Sequence, residues 1–246
     1  QLTRIGEKWE GAASPMNVNE AAVVIYGDKT FKPLVSRGSH FDYAAFVQGS
    51  DEQAKLICSM VTVALNSAKA YYEEKHDKTA FVKSIISDNI LLGDIYVRAK
   101  ELHFASEAQR AVVLVRQVGS AEIAAVDVVQ SLFSDNPDDF VISINETDIA
   151  VIKTLTDGGD GKEIYRIAKS IEDALAQNLK LKTTIGIGTV VSHIRDLARA
   201  YKEAGVAIDV GKVFDTEKTI INYENLGIGR LIYQLPTTLC EIFLSE

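Results

Sequence analysis

The chain has 246 residues, 47% of them apolar and 24% charged, with a formal net charge of −8 and a pI of about 5.1. This is the balance of a folded globular chain, with material for one large domain or two small ones, and it excludes bulk disorder. The acidic excess argues against nucleic-acid binding by clustered cations on this chain, and no apolar run approaches the ~18 residues of a membrane span.

Residues 1–10 carry charge and lack the apolar core of a secretory signal, and the chain does not begin with Met. It therefore reads as a fragment of a longer cytoplasmic protein, with Cys58 and Cys240 as reduced thiols. After a weakly patterned start come three short apolar segments, Ala21–Tyr26, Pro33–Arg37 and Tyr43–Gln48. Gly27-Asp28 and Gly38-Ser39 divide them, which predicts an antiparallel meander. Such a meander needs a cover on one face to be stable.

Ser50-Asp51-Glu52-Gln53 fits a capping box and predicts a long helix. Ile57, Val61, Ala64, Leu65, Ala68 and Tyr72 recur along one side of it, and Cys58 falls within the same apolar stretch. The charged stretch Glu73–Lys78 predicts a hinge, followed by helices at Thr79–Ser87 and Asp94–His103. Ala111–Arg116 is a continuous apolar run, the pattern of a strand covered on both faces. Ser120–Phe133 reads as a helix, and Phe140–Ile144 and Ile149–Leu155 as a hairpin joined by Asn145-Glu146-Thr147-Asp148.

A capping box at Asp160–Glu163 opens a helix bearing Ile164, Ile167, Ala168, Ile171 and Leu175 on one side. Thr183–Val191 reads as a strand. Ser192 is the expected cap of a helix carrying Ile194, Leu197, Ala198, Tyr201 and Ile208. Thr219–Tyr223 is a short strand, and Leu226–Leu235 a final helix stopped by Pro236. The order from Ala111 is β-α-β-β-α-β-α-β, a ferredoxin-like, split βαβ arrangement in an α+β chain, with helices packed on a face of the sheet.

Motif tests give little enzyme chemistry. Gly158–Glu163 fails the phosphate-loop pattern at both ends, and Gly186-Ile187-Gly188 lacks the third glycine of a dinucleotide fingerprint. His40, His76, His103 and His193 are scattered without ligand spacing, and no nucleophile elbow is present. No catalytic residue, metal site or cofactor is expected. Lys32, Arg37, Ser39 and His40 gather around the turns of the N-terminal meander. Cations and a hydroxyl on loops beside a small sheet suit a small carboxylate ligand.

Five stretches carry a family resemblance: Phe81–Ile86, Arg98–Leu102, Ile185–Gly188, Ala200–Ala204 and Tyr223–Gly227. Tyr201-Lys202-Glu203-Ala204 and Tyr223-Glu224-Asn225-Leu226-Gly227 are the most characteristic. In their order and spacing, residues from about 81 to 244 resemble the middle part of the bacterial sugar-diacid and purine-catabolism regulators (CdaR/PucR-like).

The resemblance implies a GGDEF-like domain, similar in fold to diguanylate cyclases, between a sensor and a C-terminal helix-turn-helix that lies outside this chain. By their own pattern of meander and long helix, residues 1–77 read as a partial sensor-like (GAF- or PAS-like) segment with a long connecting helix. Residues 78–108 would be a helical linker and 109–246 a degenerate GGDEF-like domain. Against the cyclase motif, the hairpin reads Asn145-Glu146-Thr147-Asp148-Ile149. Both glycines are replaced, and Thr147 stands where a cyclase has a metal-binding acid. The strand end Leu114-Val115-Arg116-Gln117 also lacks the expected Asp.

The expected function is the effector-sensing, dimerising portion of a cytoplasmic transcription regulator, without enzyme activity. Its effector would be a small carboxylate such as a sugar diacid. It would form a homodimer, reach DNA only through the region not in this chain, and have no membrane partner. A nucleotide cyclase or hydrolase on the same fold, and a ligand-free structural spacer, are the alternatives.

Overall fold

A computed structural model describes residues 23–34, 43–119, 122, 124–155, 161–214, 218–236, 238 and 241. It divides into two compact units, Gln1–Glu73 and Glu74–Glu246.

In the first unit β1 (Val24–Tyr26), β2 (Lys29–Pro33) and β3 (Ala44–Gln48) form an antiparallel meander in chain order. Tyr26 pairs with Lys29 across a two-residue turn. Gly27, at φ +62°, occupies the first central position of that turn, where a side chain would be strained. This tight turn places the middle strand at Lys29–Pro33, earlier than the Pro33–Arg37 expected from composition.

The cover the meander needs is α1 (Glu52–Ile86), whose first turns lie in this unit. Its cap is Asp51, not the predicted Ser50: Asp51 Oδ1 accepts from the Ala54 amide at 2.8 Å. Ala54, Cys58 and Thr62, four residues apart, are buried. The Cys58 thiol points at the carbonyls of Thr30 (3.5 Å) and Ala45 (3.7 Å), which joins helix to sheet. Burial pushes that thiol above its ordinary range, against the opposing effects of the Thr62 hydrogen bond and the Lys32 charge. The predicted apolar stripe is not the packed one: Ile57, Val61, Leu65 and Tyr72 are all exposed.

No hinge interrupts α1 at Glu73–Lys78. Lys69 pairs with Glu73 (3.7 Å) and Lys78 with Glu74 (2.7 Å), both at i,i+4 spacing. Such pairs support a helix by ~0.2–0.5 kcal/mol each, and the stretch holds neither Gly nor Pro. Among the described residues no helix is long and apolar enough to cross a membrane.

In the second unit α2 (Leu92–Glu101) precedes β4 (Glu107–Val118), the central strand. There follow α3 (Ala124–Ser131), β5 (Phe140–Ser143), β6 (Asp148–Thr154), α4 (Gly161–Leu179), β7 (Lys182–Ile187) and β8 (Val191–His193). A 3₁₀ turn, Ile194–Asp196, leads into α5 (Leu197–Phe214). Then come β9 (Ile220–Asn222), a second 3₁₀ turn at Tyr223–Leu226, and α6 (Gly229–Gln234). Ser192, the expected cap of α5, is instead part of β8.

The sheet order is β5-β6-β4-β7-β9, with β8 also paired to β4. The first four strands are the split βαβ core, and β9 extends it in parallel beside β7. The apolar run in β4 is covered on both faces, as its pattern predicts, so helices pack on both sides of the sheet and not on one face alone. Ala111, Val113 and Val115 pack with Ala125 and Val129 of α3 and with Ile164, Ala168, Ile171 and Leu175 of α4. Val112 packs on the other face with Phe81, Ile85, Ile95 and Phe104. Residues 78–108 thus supply much of one core layer, each fully buried apolar side chain contributing ~1.5–3 kcal/mol.

Gly186 and Gly188 owe their identity to α5. A Cβ on Gly186 would penetrate the Ala204 carbonyl oxygen and meet Ile208 Cγ1 at 2.9 Å, and one on Gly188 would meet the Ala200 carbonyl carbon at 2.9 Å. The Gly-x-Gly pair therefore lets a helix lie directly on a strand.

One core residue is costly. Arg110 on β4 is 1% exposed. Its guanidinium donates to the Ala105 carbonyl at 2.7 Å and sits 4.8 Å from the Phe104 ring centre, while Nε and Nη1 have no partner among the described residues. Burial depresses its pKa, and only the charge of Asp138 opposes this. An Arg110→Met variant keeps the apolar stem and removes the buried charge, so it is expected to raise the urea midpoint, by about 1 kcal/mol of stability.

Candidate functional site

The hairpin aligned with the cyclase motif lies beside the end of β4. Strand register sets Arg116 opposite Asp148, the first residue of β6. The Arg116 guanidinium grips Asp148 with two hydrogen bonds of 3.0 Å, from Nε to Oδ1 and from Nη2 to Oδ2. Its Nη1 donates to Asp209 Oδ1 on α5 at 2.8 Å. One cation thus ties the hairpin, the central strand and a helix together, in the planar two-point geometry that guanidinium allows.

The tip of the hairpin is held by a side chain. Asn145 Oδ1 accepts from the Asp148 amide (2.7 Å), the Thr147 amide (2.9 Å) and the Thr147 hydroxyl (3.1 Å). This is the local turn closure that Asn favours. The Gln117 amide donates to the Thr147 carbonyl at 2.9 Å, and Gln117 Oε1 accepts from the Glu122 amide at 2.8 Å. The corner is therefore closed by hydrogen bonds from β4 onward.

Electrostatics follow from that closure. The Asp148 hydrogen bonds hold Arg116 above its ordinary pKa, with Asp209 adding to them and burial opposing. The Tyr201 phenol on α5 is pushed up by burial first and by the Asp148 charge second, with Arg116 opposing.

An active cyclase of this fold places acids at the strand end and at the third hairpin position. Here those places hold a guanidinium and a Thr147 hydroxyl already bonded to Asn145 and 3.2 Å from Asp148 Oδ1. A magnesium ion would meet the Arg116 cation, and Asp148 has both its oxygens committed to that residue. These residues do not fit a magnesium centre. Among the described residues no group of three or more His, Cys, Asp or Glu side chains is placed to hold a metal ion. Of the hairpin residues, Asn145, Thr147 and Asp148 form the closed corner, Ile149 is buried in the sheet core, and Glu146 is exposed.

The second group of candidates divides. Lys32 lies within β2, opposite Ala45, and its Nζ reaches Ser59 Oγ on α1 at 3.4 Å. It therefore serves the contact between sheet and helix, and does not stand on a turn. Arg37, Ser39 and His40 lie outside the described residues.

An open depression of about 490 Å³ along α5 is lined by Asp88, Arg195, Arg199, Lys202, Glu203 and Tyr223 among others. Two of its three cations are engaged: Arg199 pairs with Glu203 at 3.0 Å and Lys202 with Asp88. Glu203 also accepts from the amide and hydroxyl of Thr189. The depression is floored mainly by a salt-bridge network, with Arg195 its one lining cation outside those pairs among the described residues.

Sequence reasoning missed Asp209 and the role of Arg116. The two are 93 positions apart, and only the packing of α5 on β4 brings them together.

None of the curated proteins searched matches the chain. A family model described as a GGDEF-like domain matches residues 88–210, half of its length. That span begins just after α1 and ends within α5, and so contains the strand end, the hairpin and the part of the helix that Arg116 joins. With the βαββαβ core and the hairpin in their expected places, the chain belongs to the GGDEF-like domain family.

Proposed function

We propose that this chain is the effector-sensing, dimerising part of a cytoplasmic bacterial transcription regulator of the sugar-diacid and purine-catabolism type. Its GGDEF-like unit transmits a signal and does not synthesise cyclic dinucleotide. The observation that carries the reading is the Arg116 bridge to Asp148 and Asp209. A site that neutralises phosphates needs metal-binding acids held free, whereas these acids are spent on a guanidinium that fixes the hairpin. In this reading an effector acts on the first unit and its state is passed on through α1, which is continuous from Glu52 to Ile86. DNA is reached by a further region of the regulator.

A thermal-shift screen of sugar diacids, other small carboxylates, purine catabolites, and GTP with Mg²⁺ tests this. A ligand at 100 times its dissociation constant stabilises by ~2.7 kcal/mol, a rise of roughly 5–10 °C for a chain of this size. The expected result is a rise with one of the small carboxylates or purine catabolites and none with GTP and Mg²⁺. A rise with GTP and Mg²⁺ alone would support an enzyme, and no rise with any compound would support a spacer.

A further inference from the structure

The side of α1 turned away from the meander is uncovered among the described residues, and its chemistry is unusual for a free surface. From Gln53 to Tyr72 the helix carries only two charged residues, Lys55 and Lys69. Each is seven positions from the buried Thr62, so both share the side that packs on the sheet. Across five turns the opposite side therefore has no charge at all. Six large apolar side chains, Leu56, Ile57, Met60, Val61, Val63 and Tyr71, are 40–65% exposed on or beside that side.

Together they present roughly 600 Å², at the upper end of the ~300–600 Å² of the largest patch on a typical monomer. That is the low end of the ~600–1,000 Å² each partner contributes to a stable interface. Down the middle run Ile57, Met60, Ala64, Ser67 and Tyr71, three and four residues apart, which is the spacing of a helix-to-helix seam. The small pair Ala64 and Ser67 sits at the centre and lets another helix come close, with bulky residues at both ends.

We infer that this face of α1 pairs with the same face of a second copy of the chain. A face with no charge buries none when it meets itself, so a two-fold pairing carries no desolvated ion. Its area on each side reaches the low end of what a stable dimer needs. The inference deepens the dimerising half of the reading above, and a sedimentation experiment separates the two. Self-association is read without any effector, whereas effector binding is read by thermal shift.

The test is sedimentation velocity of the full chain at 1–100 µM. Wild type is expected as a particle of twice the 26.9 kDa chain mass. Met60→Glu, at a position 65% exposed, is expected to keep its far-UV circular dichroism and to weaken the dimer at least 100-fold. Val213→Glu, at an exposed position on α5, should leave it a dimer.

In either sense of a two-fold centred on the seam, Ala64 meets Ala64 of the other copy. In a Cys240→Ser background, Ala64→Cys should therefore oxidise to a covalent dimer and Val213→Cys should not. A wild-type monomer at 100 µM would overturn the inference, as it would if residues 1–22 or a foreign protein covered this face. So would a dimer untouched by Met60→Glu, or equal cross-linking at both cysteine positions.

Discussion

Gly186→Ala is expected to lower the stability of the second unit by about 3 kcal/mol, the upper end of ordinary overpacking costs. The added methyl would collide with the Ala204 carbonyl and stand 2.9 Å from Ile208 Cγ1. A side chain can rotate away from such a clash, but a helix backbone cannot. Relief requires α5 to lift off β7, which opens the contacts of Leu114 with Ala204 and Ile208. At ~2–4 °C per kcal/mol for a chain of this size, the melting temperature should fall by roughly 6–12 °C.

The internal control is Gly205→Ala on α5 itself. There the nearest atom to an added Cβ is Leu114 Cδ2 at 3.9 Å, an ordinary contact. Removing a glycine from a helix interior gains ~0.5–1 kcal/mol, so this variant should be more stable than wild type. Urea melts of the two variants check both signs. Equal effects would mean that α5 does not lie on β7 as described.

Arg116→Met is expected to cost about 2–3 kcal/mol. The Asp148 side chain is 8% exposed and draws both of its strong hydrogen bonds from Arg116. Removing the cation leaves that carboxylate nearly buried and unpaired, for which losses of ~3–5 kcal/mol are typical in a full interior. The 28% exposure of Arg116 lets water repay part of the loss. Asp209→Asn should cost less than ~1 kcal/mol, because that partner is largely solvated and its pairing is screened. The ratio between the variants, read from urea midpoints, is the diagnostic. A large loss at Asp209 with a small one at Arg116 would contradict the geometry of the bridge.

Much of the second unit is legible in the amino-acid sequence. The apolar run of β4 announces cover on both faces, and four turn residues announce the hairpin at Asn145–Asp148. The first unit is harder, for a physical reason. Residues 53–72 of α1 are apolar or small nearly all the way round, so periodicity does not say which side packs. The sheet takes the side with Ala54, Cys58 and Thr62, because small residues let a helix approach a three-stranded sheet closely.

The charged stretch after Tyr72 resembles a break because it ends the apolar pattern. Its charges are spaced as i,i+4 pairs, and they continue the helix. Gly186 and Gly188 can be set aside as a nucleotide motif from sequence, but their role depends on Ala204 and Ala200 of α5, twelve or more positions further on. The Arg116–Asp209 bond is out of reach for the same reason: a single sequence does not state long-range pairs. Of the proposed effector contacts, only Lys32 falls among the described residues, and it is used in packing.

Prolonged incubation of the purified chain with GTP and Mg²⁺, followed by chromatography for cyclic dinucleotide, tests most directly whether the hairpin corner is structural and not catalytic. With Arg116 held between Asp148 and Asp209, no product above the protein-free blank is expected. Product that scales with protein concentration, and that disappears in an Asp148→Ala variant, would contradict it and make the corner an active site.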